Sequence, residues 1–443
     1  MTFEDLNLNK PLLNALADLS YTTPTPIQRK VFSVVMSGKD VCGIAQTGTG
    51  KTFAYLLPSL RQFQFSKDRS PQLLIIVPTR ELVVQVVEAV QQLSKYTTLT
   101  VVGLYGGVNI KPQIAEVEKG MDVLVSTPGR LIDLSIKGLL KTKSIKRLVI
   151  DEVDEMLNLG FRTQLETILD LLPAKRQNLL FSATMTEEVE TLIQTYFNSP
   201  ARVEASPVGT PLENIQQSAY EVPNFYTKVN LLEALLYRDE EMNRVLVFVA
   251  TKELANLLYD ELIRELPDQV GVIHSNKEQN YRFNAVRQFQ DGTYRVLIAT
   301  DIIARGLDIA EVSHVVNFDL PETPESYIHR IGRTGRADKN GIAIAFVTEK
   351  QKEQREAIEE LMNYRIPMLP LPKSLEISDE LIDDEKPKSN RKQAVEKIHK
   401  SETFGGAFHE KSEKNKKVNV RRDHAKEMMK KYGKPIKKTR KNN

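Results

Sequence analysis

The sequence predicts an α/β protein with two tandem domains, each built on a parallel sheet. Short apolar runs rich in β-branched residues alternate with segments of helical spacing, which is the pattern of βαβ units. The apolar runs are almost uninterrupted, as in strands that are buried on both faces. The chain has 443 residues, which is more than one domain of about 100–200 residues accounts for.

The alternation begins in the first half of the chain. Predicted strands lie at 41–45, 73–77, 101–105, 123–127, 147–151 and 179–184. The segments between them have apolar residues at helical spacing, and the clearest are 81–94 and 162–172. We therefore predict a first α/β domain at residues 1–205.

The pattern pauses at SPVGTPLEN (206–214), whose two prolines and glycine are typical of a linker. It then resumes, with predicted strands at 245–250, 270–274, 296–300, 314–319 and 342–347. We predict a linker at 206–218 and a second α/β domain at 219–370.

The end of the chain is basic, whereas the rest is acidic. Residues 411–443 contain 14 Lys and Arg against 3 Asp and Glu, a formal charge of +11, so the remainder carries −8. Apolar periodicity fades after Pro372, which favours disorder. We predict a disordered basic tail at 371–443, either an arm that binds a polyanion such as RNA or simply a solvated segment.

Cysteine use and hydropathy suggest the compartment. Cys42 is the single cysteine, so no intrachain disulfide can form, which fits a reducing environment. The N-terminal MTFEDLNLNK lacks the apolar region of a signal peptide. No run reaches the roughly 18 apolar residues of a membrane span. We expect a cytoplasmic protein that does not enter a membrane.

The segment AQTGTGKT (45–52) follows a predicted strand and opens a predicted helix, as a phosphate-binding loop does. Gly48 and Gly50 let backbone N–H groups turn toward phosphate oxygens. Lys51 would reach the β and γ phosphates, and Thr52 would bind Mg²⁺. The loop begins with Ala45 where the strict pattern has glycine. We assign the nucleotide to residues Thr47, Gly48, Thr49, Gly50, Lys51 and Thr52.

A phosphate-binding loop needs an acidic partner for its metal ion. The segment RLVIDEVD (147–154) supplies one, because an apolar strand ends there in two carboxylates. Asp151 is placed to hold Mg²⁺, and Glu152 to orient and deprotonate the attacking water.

These residues resemble the DEAD-box family of RNA helicases, and the resemblance extends from residue 1 to about 370. The chain matches the family's motifs in order. They read TPTPIQ (23–28), PTREL (78–82), Gly106–Gly107, TPGR (127–130), SAT (182–184), VFVAT (247–251), QNYR (279–282), ATDIIARGLDI (299–309) and HRIGRTGR (329–336). The resemblance implies two RecA-like domains that hydrolyse ATP with Mg²⁺ and bind RNA. We expect the core to be monomeric.

The resemblance also implies where the nucleotide is held. Gln28 would hydrogen-bond adenine and Tyr21 would stack on it. Asp308 would hold the ribose. Arg333 and Arg336, which lie on the second domain, would stabilise the charge that develops on the γ phosphate, so ATP would be gripped only when the domains close.

Further residues are assigned by their motifs to coupling and to RNA. The predicted coupling residues, which link the ATP site to RNA binding, are Asp154, Ser182, Thr184 and His329. The predicted RNA-binding residues are Arg80, Gly107, Thr127, Arg130, Arg282 and Thr300. Contacts in this family run mainly to sugar and phosphate, so little sequence specificity is expected.

The chain departs from the family's pattern in three places. Val153 replaces the usual alanine between the carboxylates. Ser275 and Asn276 replace Gly-Asp after His274, which places a side chain near the expected RNA path. Tyr21 replaces phenylalanine, which preserves stacking.

Three functions use such motifs: a helicase that separates short RNA duplexes, an ATP-gated RNA clamp, and a DNA translocase. The Gln28 motif and the HRIGRTGR run disfavour the third. A bare core with a basic tail resembles the RhlE-like bacterial branch, which leaves ribosomal RNA and the RNA decay machinery as candidate partners.

Overall fold

Each half of the chain forms a seven-stranded parallel sheet with helices packed on its faces. The computed structural model describes residues 2–45, 49–66, 68–204, 214–301, 309, 312–335 and 340–386. Most of the predicted linker and the tail from residue 387 lie outside the described residues. The predicted RecA-like architecture of two tandem parallel-sheet domains is confirmed.

The first sheet has the strand order β3-β4-β2-β5-β6-β1-β7. Its strands are β1 (Val41–Ile44), β2 (Leu73–Ile76), β3 (Val101–Leu104), β4 (Val123–Ser126), β5 (Arg147–Ile150), β6 (Gln177–Ser182) and β7 (Ala201–Glu204). Nearly all of their residues are buried, because helices cover both faces.

Nine helices surround this sheet in the described part of the domain. They are α1 (Lys10–Asp18), α2 (Pro26–Met36), α3 (Lys51–Arg61), α4 (Arg80–Leu93), α5 (Ile110–Glu118), α6 (Pro128–Ile136), α7 (Val153–Asn158), α8 (Arg162–Leu171) and α9 (Glu187–Tyr196). Short 3₁₀ turns lie at Phe3–Leu6 and Thr142–Ser144. Two apolar clusters, one on each face of the sheet, form the core.

The second sheet has the order β10-β11-β9-β12-β13-β8-β14. Its strands are β8 (Ile215–Glu221), β9 (Val245–Phe248), β10 (Val270–Ile273), β11 (Val296–Ala299), β12 (His314–Asn317), β13 (Gly341–Val347) and β14 (Met368–Leu369). The described helices are α10 (Phe225–Arg238), α11 (Lys252–Glu265), α12 (Gln279–Gln290), α13 (Pro324–Ile331) and α14 (Lys352–Met362). A 3₁₀ turn at Glu349–Gln351 precedes α14.

Each of the eleven predicted strands overlaps an observed one, and the helices predicted at 81–94 and 162–172 appear as α4 and α8. The prediction missed β7, β8 and β14, which all lie near one end of their sheets. Strand β8 begins at Ile215, inside the predicted linker of 206–218. Its residues alternate between buried and exposed, so it lacks the continuous apolar run by which the other strands were found.

Ordered packing also continues beyond the predicted domain end at 370. Residues 371–386, which we call the strap, were predicted as the start of the tail, but they lie along α10 within the compact unit that ends at Glu385. The Asn224 side chain donates to the Ser378 carbonyl, and the Ser378 N–H donates to Thr227 Oγ1 at 3.1 Å. The Glu385 carboxylate accepts from the Phe225 N–H at 2.7 Å, which satisfies a free donor in the first turn of α10.

Three apolar side chains of the strap, Leu371, Leu375 and Ile382, pack against the core of the second domain. Sequence periodicity did not reveal them because they are spaced too irregularly for a helix or a strand.

Ending the chain at residue 370 should therefore destabilise the second domain by about 3 kcal/mol, because three half-buried apolar side chains are lost. Urea unfolding followed by circular dichroism measures this. A chain that ends at 386 is the control and should unfold with the full-length protein. Identical midpoints for the chains ending at 370 and 386 would show that the strap contributes nothing.

Candidate functional site

The predicted site residues of the first domain lie in the loops that leave the carboxyl ends of its strands. Because the strands are parallel, these loops meet at one edge of the sheet. The strand order then separates them into two groups. The loops after β1, β5 and β6 carry the predicted nucleotide and coupling residues, and those after β2, β3 and β4 carry the predicted RNA residues.

The phosphate loop joins β1 to α3. Gly50 caps the helix with φ 89°, a left-handed conformation that favours glycine. A Cβ atom on Gly50 would lie 2.5 Å from Gln28 Nε2, so glycine is also needed for space. Lys51 is buried, and its Nζ has no hydrogen-bond partner among the described residues. Thr49 and the half-buried Thr52 flank this turn, whereas Thr47 and Gly48 lie outside the described residues.

The predicted adenine-reading residues lie beside this loop. Gln28 is buried; its Oε1 accepts from the Thr25 N–H at 2.9 Å, and its Nε2 donates to the Gly50 carbonyl at 3.1 Å. Tyr21 is 53% exposed and makes an edge contact with Phe53, with ring centroids 5.4 Å apart. Phe53 was missed from sequence, since no motif includes it.

Two buried carboxylates follow β5. Asp151 Oδ1 accepts from the Glu152 N–H at 3.0 Å. Glu152 has φ 54°, a strained conformation for a non-glycine residue, and it caps the short helix α7. Burial raises the pKa of both carboxyl groups, and the positive charge of Lys51 opposes that rise. Val153, a departure from the family pattern, is fully buried.

Asp154 is the most completely bonded of the coupling residues. Its Oδ2 accepts from the Ala183 N–H at 3.2 Å and from both the N–H and the hydroxyl of Thr184 at 2.9 Å. His329 Nε2 of the second domain lies 3.7 Å from the same oxygen. Burial alone would raise the pKa of Asp154, but the hydrogen bond and charge of His329 hold it below its ordinary value.

Ser182 completes this group by donating its hydroxyl to the Thr184 carbonyl at 2.6 Å. The structure thus brings together the four predicted coupling residues, three from the first domain and one from the second.

The second domain also brings an arginine toward the carboxylates. Arg333 is buried just after α13, and its charge lowers the pKa of Glu152, which places it close to that group. The other two residues predicted on this side, Arg336 and Asp308, lie outside the described residues.

The predicted RNA residues of the first domain support one another. The Arg80 guanidinium lies over Gly107, where a Cβ would be 2.6 Å from Nη2, and Gly107 has φ 76°. Arg130 is buried rather than free at the surface. It donates to Gln113 Oε1 at 2.9 Å and to the Val108 carbonyl at 3.0 Å, so it braces the loop that carries Gly107.

Thr127 stands at the start of α6, and its N–H donates to the Leu104 carbonyl at 3.0 Å. Its side chain is half-buried and makes no capping hydrogen bond to the helix.

Arg282 is not exposed for RNA in this structure, which differs from the prediction. Both Arg282 and Glu81 are buried, and Arg282 Nη1 lies 3.0 Å from Glu81 Oε1 across the two domains. Gln279 Nε2 donates to the same oxygen at 2.9 Å. Glu81 and Gln279 were named in motifs but not as site residues, because sequence spacing cannot pair residues nearly 200 positions apart.

In the second domain, Thr300 follows β11 and its N–H approaches the Ile273 carbonyl at 3.4 Å. The next residue, Asp301, accepts from the fully buried Arg330 at 2.6 and 2.7 Å. Arg330 also donates to the Asp319 carbonyl at 2.6 Å. This buried ion pair ties the loop after β11 to α13, the helix that carries His329. It was missed from the sequence because, among the arginines of the HRIGRTGR motif, only Arg333 and Arg336 were assigned a role.

The other departures from the family pattern occur beside β10. His274 is buried, with Nε2 3.1 Å from Asn256 Oδ1, whereas Ser275 and Asn276 are exposed. The two replaced positions therefore present side chains at the surface without changing the buried histidine.

The residues fit a nucleotide with Mg²⁺. Lys51 Nζ and Asp154 Oδ1 are buried without hydrogen-bond partners among the described residues. No group of three or more His, Cys, Asp or Glu side chains in the described part of the chain could hold a metal alone.

This fold and site define a P-loop protein whose nucleotide site is completed by a second domain of the same architecture. The family profile described as "DEAD/DEAH box helicase" matches residues 25–192, and "Helicase conserved C-terminal domain" matches 227–338. The chain belongs to the DEAD-box family of helicases, which confirms the resemblance predicted from the sequence.

Relatives and solved structures support the same family assignment. The chain is 40% identical over 382 residues to "RNA helicase CrhR" of Synechocystis, covering 86% of this chain and 77% of the relative. It is 40% identical over 358 residues to "DEAD-box ATP-dependent RNA helicase CshA" of Geobacillus kaustophilus, covering 81% and 76%. Among structures, it resembles S. cerevisiae Dbp5 bound to RNA and ADP BeF3, with a TM-score of 0.75, 30% identity, and 90% and 98% coverage.

No helix in the described ranges has the length and apolarity required to cross a membrane.

Glu152→Gln should lower ATP turnover about 10²–10⁴-fold, the usual contribution of a general base, while ATP binding is retained because Asp151 remains. Steady-state ATPase and equilibrium nucleotide binding measure the two effects. Turnover within tenfold of the wild type would remove Glu152 from the role of base.

Arg282→Met should weaken RNA binding in the presence of a non-hydrolysable ATP analogue by about 5- to 150-fold, the usual range of coupling between sites. It leaves the Glu81 carboxylate buried and unpaired when the domains close. Adding Glu81→Gln removes that charge and should restore part of the affinity. If Arg282 acted through an RNA phosphate instead, the second substitution would restore nothing.

Proposed function

We propose that this protein is an RNA-dependent ATPase that uses ATP hydrolysis to unwind short RNA duplexes locally or to remodel RNA–protein complexes. The observation that carries this proposal is the division of the site between the domains. Asp154 and His329 meet across the domains, as do Glu81 and Arg282, so the catalytic and RNA-facing loops depend on the same closure.

In the nucleotide site, each described residue has a chemical role. Lys51 is a buried cation whose Nζ has no hydrogen-bond partner in the described part of the chain, and it would neutralise the β and γ phosphates. Thr52 and Asp151 would hold Mg²⁺, which offsets phosphate charge when bound. Glu152 would orient and deprotonate the attacking water. Arg333 would stabilise the charge that develops on the γ phosphate.

The loops next to the nucleotide site would bind the RNA backbone. Gly107, Thr127 and Thr300 lie in loops at the carboxyl ends of their strands, and Arg80 is the first residue of the helix that follows such a loop. Backbone N–H groups, hydroxyls and a guanidinium recognise phosphate and ribose, so binding would be largely independent of sequence. Arg130 would contribute by bracing the Gly107 loop, and Arg282 by holding the domains together.

Unwinding and clamping remain alternatives within this mechanism, because both use the same closure. We favour unwinding, since relatives named as helicases cover most of this chain. The lifetime of RNA binding per ATP turnover separates the two: release with each turnover supports unwinding, and retention over many turnovers supports a clamp.

We further propose that the protein acts in the cytoplasm, as a monomer, on ribosomal RNA or with the RNA decay machinery. The basic residues of 411–443 would hold RNA near the cleft as a tether. The RhlE-like assignment also stays a prediction. Crosslinking in cells, followed by sequencing of the bound RNA, tests the target.

Arg333→Ala should lower RNA-stimulated ATPase by about 10³-fold or more, the scale of a lost arginine finger. Nucleotide binding to the first domain should be unchanged, because Arg333 belongs to the second. Duplex-unwinding assays should lose activity in parallel with ATPase. The control is Lys352→Ala, which removes an exposed ion pair with Glu221 and should leave both activities intact.

The isolated first domain, residues 1–204, provides the sharper contrast. It should bind ATP but hydrolyse it no faster than the Arg333→Ala protein. Hydrolysis at the full-length rate would contradict the shared site.

A further inference from the structure

The opposite edge of the first sheet, where the strands begin, carries a basic surface. The loops that enter β5, β6 and β1 are neighbours, because β6 pairs with both of the other strands. We call their cationic residues the basic edge: Lys39, Lys141, Lys143, Lys146, Arg147, Lys175 and Arg176. Within residues 141–147, four of seven are Lys or Arg and none is Asp or Glu.

A cavity of about 530 Å³ opens at this edge. Three cations line it, Arg61, Lys146 and Arg147, and no carboxylate is among its described lining residues. Glutamines and other neutral groups form the rest of the wall. The cavity therefore has an uncompensated positive charge.

Arg147 lies at the centre of this arrangement. Its Nε donates to Gln177 Oε1 at 2.7 Å, and its Nη2 donates to Gln62 Oε1. Burial lowers its pKa to about 10, and no charged neighbour opposes that shift. Partial burial removes water from the Arg147 guanidinium, and neutral amides compensate for that loss only in part. A bound anion would offset the remaining free-energy cost.

A second cavity of about 880 Å³ continues the surface and shares Lys146 and Gln177 with the first. It adds Lys39, Lys175 and Arg176. Its one described carboxylate belongs to Asp40, which is buried.

That carboxylate is already bonded. Asp40 accepts from the Asn178 N–H at 2.8 Å and from the Asn198 N–H at 3.0 Å. Burial lowers the pKa of Arg176, and the charges of Asp40 and, outside the cavity wall, Asp170 oppose that shift. None of the exposed lysines of the basic edge forms an ion pair among the described residues, so their ammonium groups can bind an anion from solution.

We propose that the basic edge is a second RNA contact, which binds the backbone phosphates of RNA that extends beyond the cleft. Ammonium and guanidinium groups around a roomy polar cavity suit phosphates of any sequence. Residues 1–204 contain 22 Lys and Arg against 21 Asp and Glu, so the first domain is nearly neutral overall and the basic edge is a local concentration of positive charge. This inference rests on the proposed function.

The proposal predicts a dependence on RNA length. A compact domain of about 200 residues is roughly 40 Å across, so RNA that fills only the cleft cannot reach the basic edge. Longer RNA can bend around the domain and reach it.

The test compares Lys146→Gln/Lys175→Gln with Lys350→Gln/Lys373→Gln in the full-length protein. Both variants lose two exposed lysines, and the control pair lies in the second domain and its strap. With an ATP analogue present, binding of single-stranded RNA of about 8 and about 40 nucleotides is titrated against salt. The first variant should bind the long RNA about 3–10-fold more weakly near 0.1 M salt. The slope of the logarithm of its binding constant against the logarithm of the salt concentration should be smaller in magnitude by about 1–2.

Binding of the short RNA should be unchanged in both variants, and ATPase stimulated by saturating short RNA should be unchanged as well. Equal salt slopes of the wild type and the first variant on long RNA would overturn the proposal. An equal loss of affinity for long RNA in the control variant would also overturn it, because the loss would then depend on the net charge of the protein and not on the position of the lysines.

A competition arm separates RNA from a free phosphate ligand. With the nucleotide site saturated, inorganic pyrophosphate should displace long RNA from the wild type more than from the first variant. Pyrophosphate binding that depends on the two lysines without any effect on long RNA would also overturn the proposal. Failure of short RNA to stimulate the wild-type ATPase would count against the proposed function instead.

Discussion

The interaction on which the site depends is the set of bonds to the Asp154 carboxylate. One oxygen accepts three hydrogen bonds from the loop after β6 and lies 3.7 Å from His329 of the second domain. Burial of a charge is energetically unfavourable unless hydrogen bonds compensate for it. This oxygen therefore restricts the positions of its donors in the loop after β6 and of His329. Asp154, which contacts the second domain, lies two residues from Glu152 on the same short segment.

A second buried contact between the domains lies beside the loops that carry the predicted RNA residues. Glu81 follows the loop of Arg80, and it pairs with Arg282 and Gln279 of the other domain. Removing Arg282 would leave the buried Glu81 carboxylate without its cationic partner. The two contacts lie beside the two groups of loops that the strand order separates, so both groups have a contact with the second domain.

Within the second domain, Arg330 has a comparable role. It is fully buried and bonds to Asp301 and to the Asp319 carbonyl, so the loops after β11 and β12 are held to the helix of His329. These bonds join the residue that follows Thr300 to the helix that carries His329.

The sequence by itself determined the parallel strands, the order of the motifs and the chemistry of the nucleotide loop. These features are local: apolar runs, a glycine turn before a helix, and carboxylates at a strand end. Tertiary structure alone decided the partners of Glu81, Arg130 and Arg330, the packing of the strap and the half-buried position of Arg147. Pairing and burial depend on residues that are distant in the chain, and neither leaves a periodic signal in it.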